Sequence, residues 1–200
     1  MKSVIKSLAL VLALGAAQTA QATPIVLQAT LTGGLEVPPN ASPGTGTATV
    51  TIDSVANTML VNLIFSGLDG TTAASHIHCC LGSPFQTGTN AGVATQTPTF
   101  AMFPLGVTSG TYNHLFDMTL ASSYNSAFIT ANGGTTSSAE AALFAGMLAG
   151  ESYLNIHTNT FANGEIRGFL TPVPEPITLS IFGVGLAGVA ALRRRKAKKD

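Results

Sequence analysis

Hydrophobic and polar residues alternate with a period of two through the middle of the chain. The alternation runs over residues 25–32 and 47–52, where apolar side chains are separated mostly by threonines. Because successive side chains of a strand point to opposite faces of a sheet, the pattern predicts half-buried β-strands. Further strands are predicted over residues 59–66, 73–79, 93–100, 115–120, 152–158 and 165–170.

One helix is predicted near the end of this region. Residues 137–140 have the sequence of a capping box, apolar residues follow at helical spacing, and Gly150 provides a stop. Short strands separated by turn residues, with one short helix, predict an all-β fold in the form of an antiparallel β-sandwich.

The N-terminus has the three parts of an export signal. Lys2 and Lys6 precede an apolar run over residues 8–17, and Ala-Gln-Ala at 20–22 fits the small-x-small cleavage pattern. We therefore predict a signal peptide over residues 1–22, removed at its end by signal peptidase. The apolar run is too short to cross a bilayer comfortably; the alternative is a buried N-terminal helix.

The C-terminus holds a second membrane-directed segment. Its parts are Pro174, Glu175 and Pro176, then apolar residues 177–192, then a basic tail over 193–200 that includes Arg193, Arg194 and Arg195. As a transmembrane helix the apolar part spans about 24 Å, less than the roughly 30 Å of hydrocarbon. Basic residues stay on the cytoplasmic side, which places the preceding domain outside. The alternative is a simple tail anchor.

The order of Pro-Glu-Pro triplet, short apolar helix and arginine-rich end resembles a PEP-CTERM sorting signal. The resemblance implies recognition by an exosortase-type membrane protease, in an exopolysaccharide-producing bacterium with an outer membrane. It also implies release or transfer of the domain after cleavage near the motif. The predicted organisation is a signal peptide at 1–22, a folded domain at 23–171, the sorting motif at 172–176, the transmembrane segment at 177–192 and the basic tail at 193–200.

The folded region carries few charges, and most of them are acidic. Between residues 23 and 173, Arg167 is the only basic residue. The acids are Glu36, Asp53, Asp69, Asp117, Glu140, Glu151 and Glu165. The formal neutrality of the whole chain therefore comes from its basic termini. No basic patch is available for nucleic acid, and uncharged polar residues must cover the surface.

Three passages of the folded region together resemble the chordin-type domain known as CHRD. They are residues 31–39 followed by 44–49, residues 74–78, and residues 153–158 through 163–168, and the resemblance extends over about residues 25–171. It implies an immunoglobulin-like or superoxide-dismutase-like β-sandwich with no assigned biochemical activity. In animal chordins such domains belong to an extracellular antagonist of growth factors, a partner absent from bacteria. The pair Cys79-Cys80 departs from the Gly-rich sequence expected there.

The last of these passages predicts a hairpin. Residues 155–158 pair with residues 165–168 across a loop, in which Asn163-Gly164 supplies a positive φ. Strand alternation puts Glu165 and Arg167 on one face. Arg167 is therefore predicted to bond a cross-strand acid or carbonyl groups and to tie the hairpin to the sandwich.

A pair of histidines separated by one residue suggests a metal site. On a strand, His76 and His78 face the same way, with Cα atoms roughly 6.6 Å apart. His157, on another predicted strand, supplies a third nitrogen if the two strands are neighbours, and such a set of neutral imidazoles suits copper or zinc. His114 is a further candidate, in a stretch with loop character. The alternative is that these histidines make ordinary hydrogen bonds at the end of a sheet.

The two cysteines of the chain, Cys79 and Cys80, are adjacent. In an oxidising compartment they are expected to pair, although neighbouring Cα atoms are closer than in most disulfides. Three outcomes stay open: a vicinal disulfide, pairing between molecules, or thiolate ligands beside the histidines.

No enzyme motif is present, since the sequence lacks a Gly-x-Ser-x-Gly, a phosphate loop and a His-Glu-x-x-His. We therefore expect a non-enzymatic protein. The leading hypothesis is a surface-delivered module associated with an exopolysaccharide matrix or acting in adhesion. The second is a copper- or zinc-binding protein of the periplasm or cell exterior that uses His76, His78 and His157.

Overall fold

A curled antiparallel β-sheet dominates the fold in residues 23–174, which are the residues described by this computed structural model. Its strands are β1 Ile25–Thr32, β2 Thr45–Asp53, β3 Thr58–Ser66, β4 Thr72–His78, β5 Gly110–Asp117, β6 Tyr153–Thr158, β7 Ile166–Phe169 and β8 Thr171–Pro172. Their order in the sheet is β4-β6-β7-β1-β2-β3-β5, and β8 pairs with β1. The all-β class is confirmed. The assignment to an immunoglobulin-like or superoxide-dismutase-like sandwich stays a prediction.

Both predicted membrane-directed segments lie outside the described residues. They are the signal peptide at 1–22 and the apolar segment at 177–192, together with Glu175, Pro176 and the basic tail at 193–200. Among the helices formed within residues 23–174, none has the length and apolar character needed to cross a membrane.

The core lies on one face of the sheet, as the period-2 pattern predicts. Along β1, Leu27 and Leu31 are fully buried, whereas Gln28 and Thr30 on the opposite face are exposed. The same alternation continues through β2 and β3 and fills the core with Val50, Ile52, Met59, Val61, Leu63 and Phe65. Burying each large aliphatic side chain contributes about 1.5–3 kcal/mol, so this one face supplies much of the stability.

The prediction of one short helix is wrong, because two helices separate β5 from β6. They are α1 Ser126–Ala131 and α2 Thr136–Leu148. The capping box of α2 also begins earlier than predicted, since the Oγ1 of Thr135 accepts a hydrogen bond from the backbone N–H of Ser138 at 3.1 Å. Gly133 and Gly134, both at positive φ, end the first helix and let the second start at this position.

The predicted strand at 93–100 is also wrong. Within this segment there are only two isolated bridges, His78 to Val93 and Thr95 to Tyr124. The segment instead runs irregularly beside β4, where the backbone N–H of Phe100 donates to the carbonyl of Ser75 at 3.1 Å. Its Pro98 has no N–H to give to a ladder, which favours irregular backbone here.

A narrow junction joins the two halves of the sheet. Between β1 and β7 there is a single registered pair, Thr32 with Arg167, and β8, which follows β7, adds two more with β1. The strands approach closely because Gly168 has no side chain. A Cβ at position 168 would lie 2.8 Å from the carbonyl carbon of Thr30, and closer still to its oxygen.

Candidate functional site

Three of the four histidines come together on the outer face of β4 and β6. The two strands are antiparallel neighbours, with His76 opposite Asn155 and His157 opposite Ala74. Because paired residues share a face and every second residue returns to it, His76, His78 and His157 all point away from the core. The fully buried Ile77 occupies the other face. The condition on which the contribution of His157 depended, that the two strands are neighbours, is therefore met.

One nitrogen of each imidazole is held by a backbone carbonyl. The Nε2 of His76 lies 2.7 Å from the oxygen of Pro98, and the Nδ1 of His78 lies 2.8 Å from the oxygen of Ala91. The Nδ1 of His157 lies 2.9 Å from the oxygen of Ala162. Since a carbonyl only accepts hydrogen bonds, these nitrogens carry the protons when the rings are neutral.

The remaining nitrogen of each ring carries a free lone pair. The Nδ1 of His76, the Nε2 of His78 and the Nε2 of His157 are buried and have no hydrogen-bond partner among residues 23–174. One ligand nitrogen from each residue lies within 4.8 Å of the other two. Each ring thus has one buried nitrogen without a donor among residues 23–174, and the three rings are close enough for one ion to reach a nitrogen of each.

Burial keeps the three rings neutral. Desolvation lowers the pKa of His78 to about 4, against the opposing effect of its hydrogen bond to Ala91. Desolvation likewise lowers the pKa values of His76 and His157, each opposed by a backbone hydrogen bond. The neutral imidazole is the form that binds metal ions, so no proton has to leave at neutral pH.

The arrangement has the chemistry of a three-histidine metal site. Ligating histidines usually donate their second N–H to a carbonyl or carboxylate, as all three do here. In tetrahedral zinc sites the metal–nitrogen distance is about 2.0–2.1 Å, which sets the ligand nitrogens roughly 3.3 Å apart. His157 is the least buried of the three and lies at the rim of the cluster.

A buried cation lies next to this cluster on the same face. Arg167 is fully buried, and its Nη1 donates to the Oδ1 of Asn90 at 2.9 Å. Its guanidinium carbon lies 4.5 Å from the centre of the Tyr153 ring, which stacks on His78 at 4.7 Å between ring centres. Nη1 also contacts the carbonyl of Thr89 at 3.5 Å, so the predicted bonding to a carbonyl is present, but a loop supplies it.

Glu165, which strand alternation places on the face of Arg167, has partners of its own. The Glu165 carboxylate accepts hydrogen bonds from Ser42, Asp69, Gly70 and Thr158. It is Glu36 that lies beside Arg167. Desolvation raises the pKa of Glu36 to about 7, although Arg167 and a backbone hydrogen bond lower it.

The other candidate residues do not belong to the histidine cluster. His114 is on β5, stacked on Tyr112, and not in the loop that the sequence suggested. Cys79 and Cys80 are joined in a disulfide. Their sulfur atoms pack against Gly146 of α2, where a side chain would collide with both. In the disulfide form they are not available as thiolate ligands.

Sequence reasoning missed the groups that orient the histidines. The carbonyls of Ala91, Pro98 and Ala162 belong to the backbone, and no residue type signals them. Only the predicted hairpin between residues 155–158 and 165–168 pointed toward one of the three, because its loop contains Ala162.

Two family models match the chain. The model described as CHRD domain matches residues 27–170, and the model described as PEP-CTERM protein-sorting motif matches residues 172–196. Neither is an enzymatic family, which is consistent with the prediction of a non-enzymatic protein. Among curated proteins and among solved structures, no match to the chain was found.

Proposed function

Since the chain belongs to the CHRD domain family, we propose that it is an exported, non-enzymatic protein that binds one copper or zinc ion through His76, His78 and His157. The PEP-CTERM motif implies processing by exosortase, and it indicates a protein destined for the cell envelope or surface. The histidine cluster supplies a function for the domain that is processed there.

A single observation carries the metal proposal: three partnerless lone pairs converge while the opposite nitrogen of each ring is fixed by a carbonyl. A buried polar atom without a partner is unfavourable, by about 1–3 kcal/mol for each atom. One metal ion satisfies all three nitrogens at once. The hypothesis of ordinary hydrogen bonding accounts for only one nitrogen of each ring.

The donor set favours copper or zinc over calcium or magnesium. Imidazole nitrogen suits zinc and copper, whereas calcium and magnesium prefer oxygen ligands. Three protein ligands leave further coordination positions for water or an anion. The nearby Arg167 has an electrostatic effect on His78, and its positive charge favours an anion in one of those positions.

Metal content tests this proposal directly. The full chain is expected to bind one zinc or copper ion, and His76→Ala and His78→Ala are each expected to weaken binding by at least tenfold, since two imidazoles remain. The measurement is elemental analysis together with competition against a chelator. His157→Ala, at the rim of the cluster, tests the third ligand with the least disturbance of the core.

His114→Ala is the matched control, because it removes an imidazole from β5 and leaves the cluster intact. Circular dichroism of each variant separates loss of the site from loss of the fold. If metal content is the same in the wild type and in all the folded histidine variants, the proposal is wrong.

We further propose that the exported domain associates with an exopolysaccharide matrix or acts in adhesion. The supporting observation is the surface: exposed threonines such as Thr30 and Thr47 cover the outer face of the sheet, and charged residues are sparse. In this proposal signal peptidase removes residues 1–22, residues 177–192 hold the precursor in the membrane, and exosortase cleaves near Pro174.

Deleting residues 174–176 is expected to leave an uncleaved precursor in the membrane fraction, because the protease loses the extended segment that it recognises. Immunoblotting of membrane and extracellular fractions measures the result. The control is Val173→Ala, a change at an exposed position directly before the motif. Identical fractionation of the deletion and the wild type contradicts the sorting mechanism.

A further inference from the structure

A groove runs over the outer face of β1 and β2, away from the histidine cluster. It has a volume of about 730 Å³, within the roughly 300–1,000 Å³ of small-ligand sites. Five of its eleven lining residues are threonines, two are phenylalanines, and none is charged. We propose that this groove binds a segment of a neutral polysaccharide.

The floor of the groove consists of hydroxyl and amide groups in a fixed arrangement. Gln28 pairs with Thr49, and Thr30 pairs with Thr47, across β1 and β2. Both pairs lie on the face opposite the buried Leu27. Threonine is branched at Cβ and has few rotamers, so little side-chain entropy is lost when its hydroxyl binds a ligand. Each hydroxyl both donates and accepts, which matches the hydroxyls of a sugar.

Two aromatic rings supply an apolar wall. Phe85 and Phe169 both line the groove, and their rings meet edge to face with centres 5.9 Å apart. The C–H groups of a sugar ring form an apolar surface that packs on an aromatic face, while its hydroxyls stay at the edge. A wall of aromatic carbon beside a floor of hydroxyls therefore fits both surfaces of a saccharide.

Phe85 is held in place although its side chain is about half exposed. Its backbone N–H donates to the carbonyl of Gly150 at 2.9 Å. A Cβ at position 150 would lie 2.7 Å from the Phe85 ring, so the ring packs directly on that glycine. Phe85 also has a φ of 53°, an unfavourable value for a bulky residue that persists only where the surroundings enforce it. The aromatic wall is thus formed before any ligand arrives.

The surroundings argue against other kinds of occupant. An extended peptide adds to a sheet through a free strand edge, but β1 and β2 both have neighbours on each side. An acidic polymer needs cations, and none lines the groove. An apolar ligand would leave the threonine hydroxyls without partners, which is unfavourable.

This inference deepens the proposed association with a matrix, and rests on it only for the source of the ligand. The test uses the immobilised full chain and soluble polysaccharides, namely hydroxyethylcellulose, dextran and galactomannan as neutral probes and alginate as an acidic one. Equilibrium affinity is measured by interferometry. Binding in this assay needs neither export nor processing, so its failure is distinguishable from failure of the sorting mechanism.

We expect the wild type to bind at least one neutral polysaccharide and to bind alginate at least tenfold more weakly. Phe85→Ala removes the exposed aromatic ring and Thr47→Glu places a charge on the floor; each is expected to weaken binding at least tenfold. Leu115→Ala changes an equally exposed apolar residue on β5 and is expected to leave the affinity unchanged. The inference is overturned if no neutral probe binds, if alginate binds as tightly, or if both groove variants retain the affinity of the wild type.

Discussion

Replacing Glu165 with alanine is expected to lower the free energy of unfolding by about 3–5 kcal/mol. The carboxylate is fully buried and accepts four hydrogen bonds. The donors are the hydroxyls of Ser42 and Thr158, each at 2.6 Å, and the backbone N–H groups of Asp69 and Gly70, at 2.6 and 3.1 Å. Removing it leaves these donors without an acceptor, and two of them, those of Gly70 and Thr158, belong to buried residues.

Glu165→Gln removes the negative charge and keeps the shape of the side chain. Ser42 and Thr158 can rotate their hydroxyls to accept a hydrogen bond from the new amide, but the backbone N–H groups of Asp69 and Gly70 cannot. We therefore expect a loss of about 2 kcal/mol, smaller than for alanine. Chemical denaturation followed by circular dichroism measures both variants. Glu151→Gln, a partly exposed acid, is the control and is expected to change stability by less than about 0.5 kcal/mol.

The pH dependence of stability provides a second readout. Burial raises the pKa of Glu165, but its hydrogen bonds outweigh burial and leave the pKa below the ordinary 4.5. A carboxyl group whose pKa is lowered in the folded state contributes its full stabilisation of the fold at pH values above its unfolded pKa. This contribution disappears as the pH falls through the folded pKa. Wild-type stability should therefore decline below about pH 4.5 more steeply than that of Glu165→Gln. Equal slopes would contradict this assignment.

Replacing Gly168 with alanine is expected to destabilise the protein by about 3 kcal/mol. The new Cβ would lie 2.8 Å from the carbonyl carbon of Thr30 and 3.2 Å from the Cβ of Ala29. Because the first obstacle is backbone, no side chain can move aside, and β1 must separate from β7. β7 has one registered pair with β1 and β8 adds two more, so the change acts where few backbone pairs join the two halves of the sheet.

The control for this change is Gly34→Ala. Gly34 has no heavy atom within 4 Å of the position that a Cβ would take, and its φ is not in the left-handed region. Its effect on stability is expected to stay below about 1 kcal/mol. Denaturant titration of both variants distinguishes the two positions. Similar unfolding midpoints would show that the close approach at Gly168 is relieved without loss of pairing.

The sequence predicted most of what depends on local alternation. It placed β1, β2, β3, β4, β6 and β7 to within a few residues, although only β1, β2 and β3 bury a single face and β4, β6 and β7 are buried on both. It also placed His76 and His78 on a common face, since two residues along a strand restore the direction of a side chain. The contribution of His157 depended on which strands are neighbours, and this is a non-local property that spacing alone does not fix.

The errors fall where tertiary contacts decide the local structure. The segment 93–100 alternates as a strand does, yet it serves as an irregular cover over β4 and supplies the carbonyl of Pro98 to His76. Helix α1 has only six residues, too few for a helical period to stand out, and it is stabilised by burial of Phe128. Arg167 was expected to bond a cross-strand acid or carbonyl groups, but the sequence does not show that a loop amide, Asn90, comes within reach.

A continuous row of rings joins the histidine cluster to the polysaccharide groove. His78 stacks on Tyr153, Tyr153 meets Phe169 edge to face at 6.2 Å, and Phe169 meets Phe85 in the same way. If an ion that draws in His78 also turns Tyr153, it changes the surface that Phe169 offers to a sugar. Thermodynamic linkage then requires the reverse: a bound saccharide alters the affinity for the ion by the same factor.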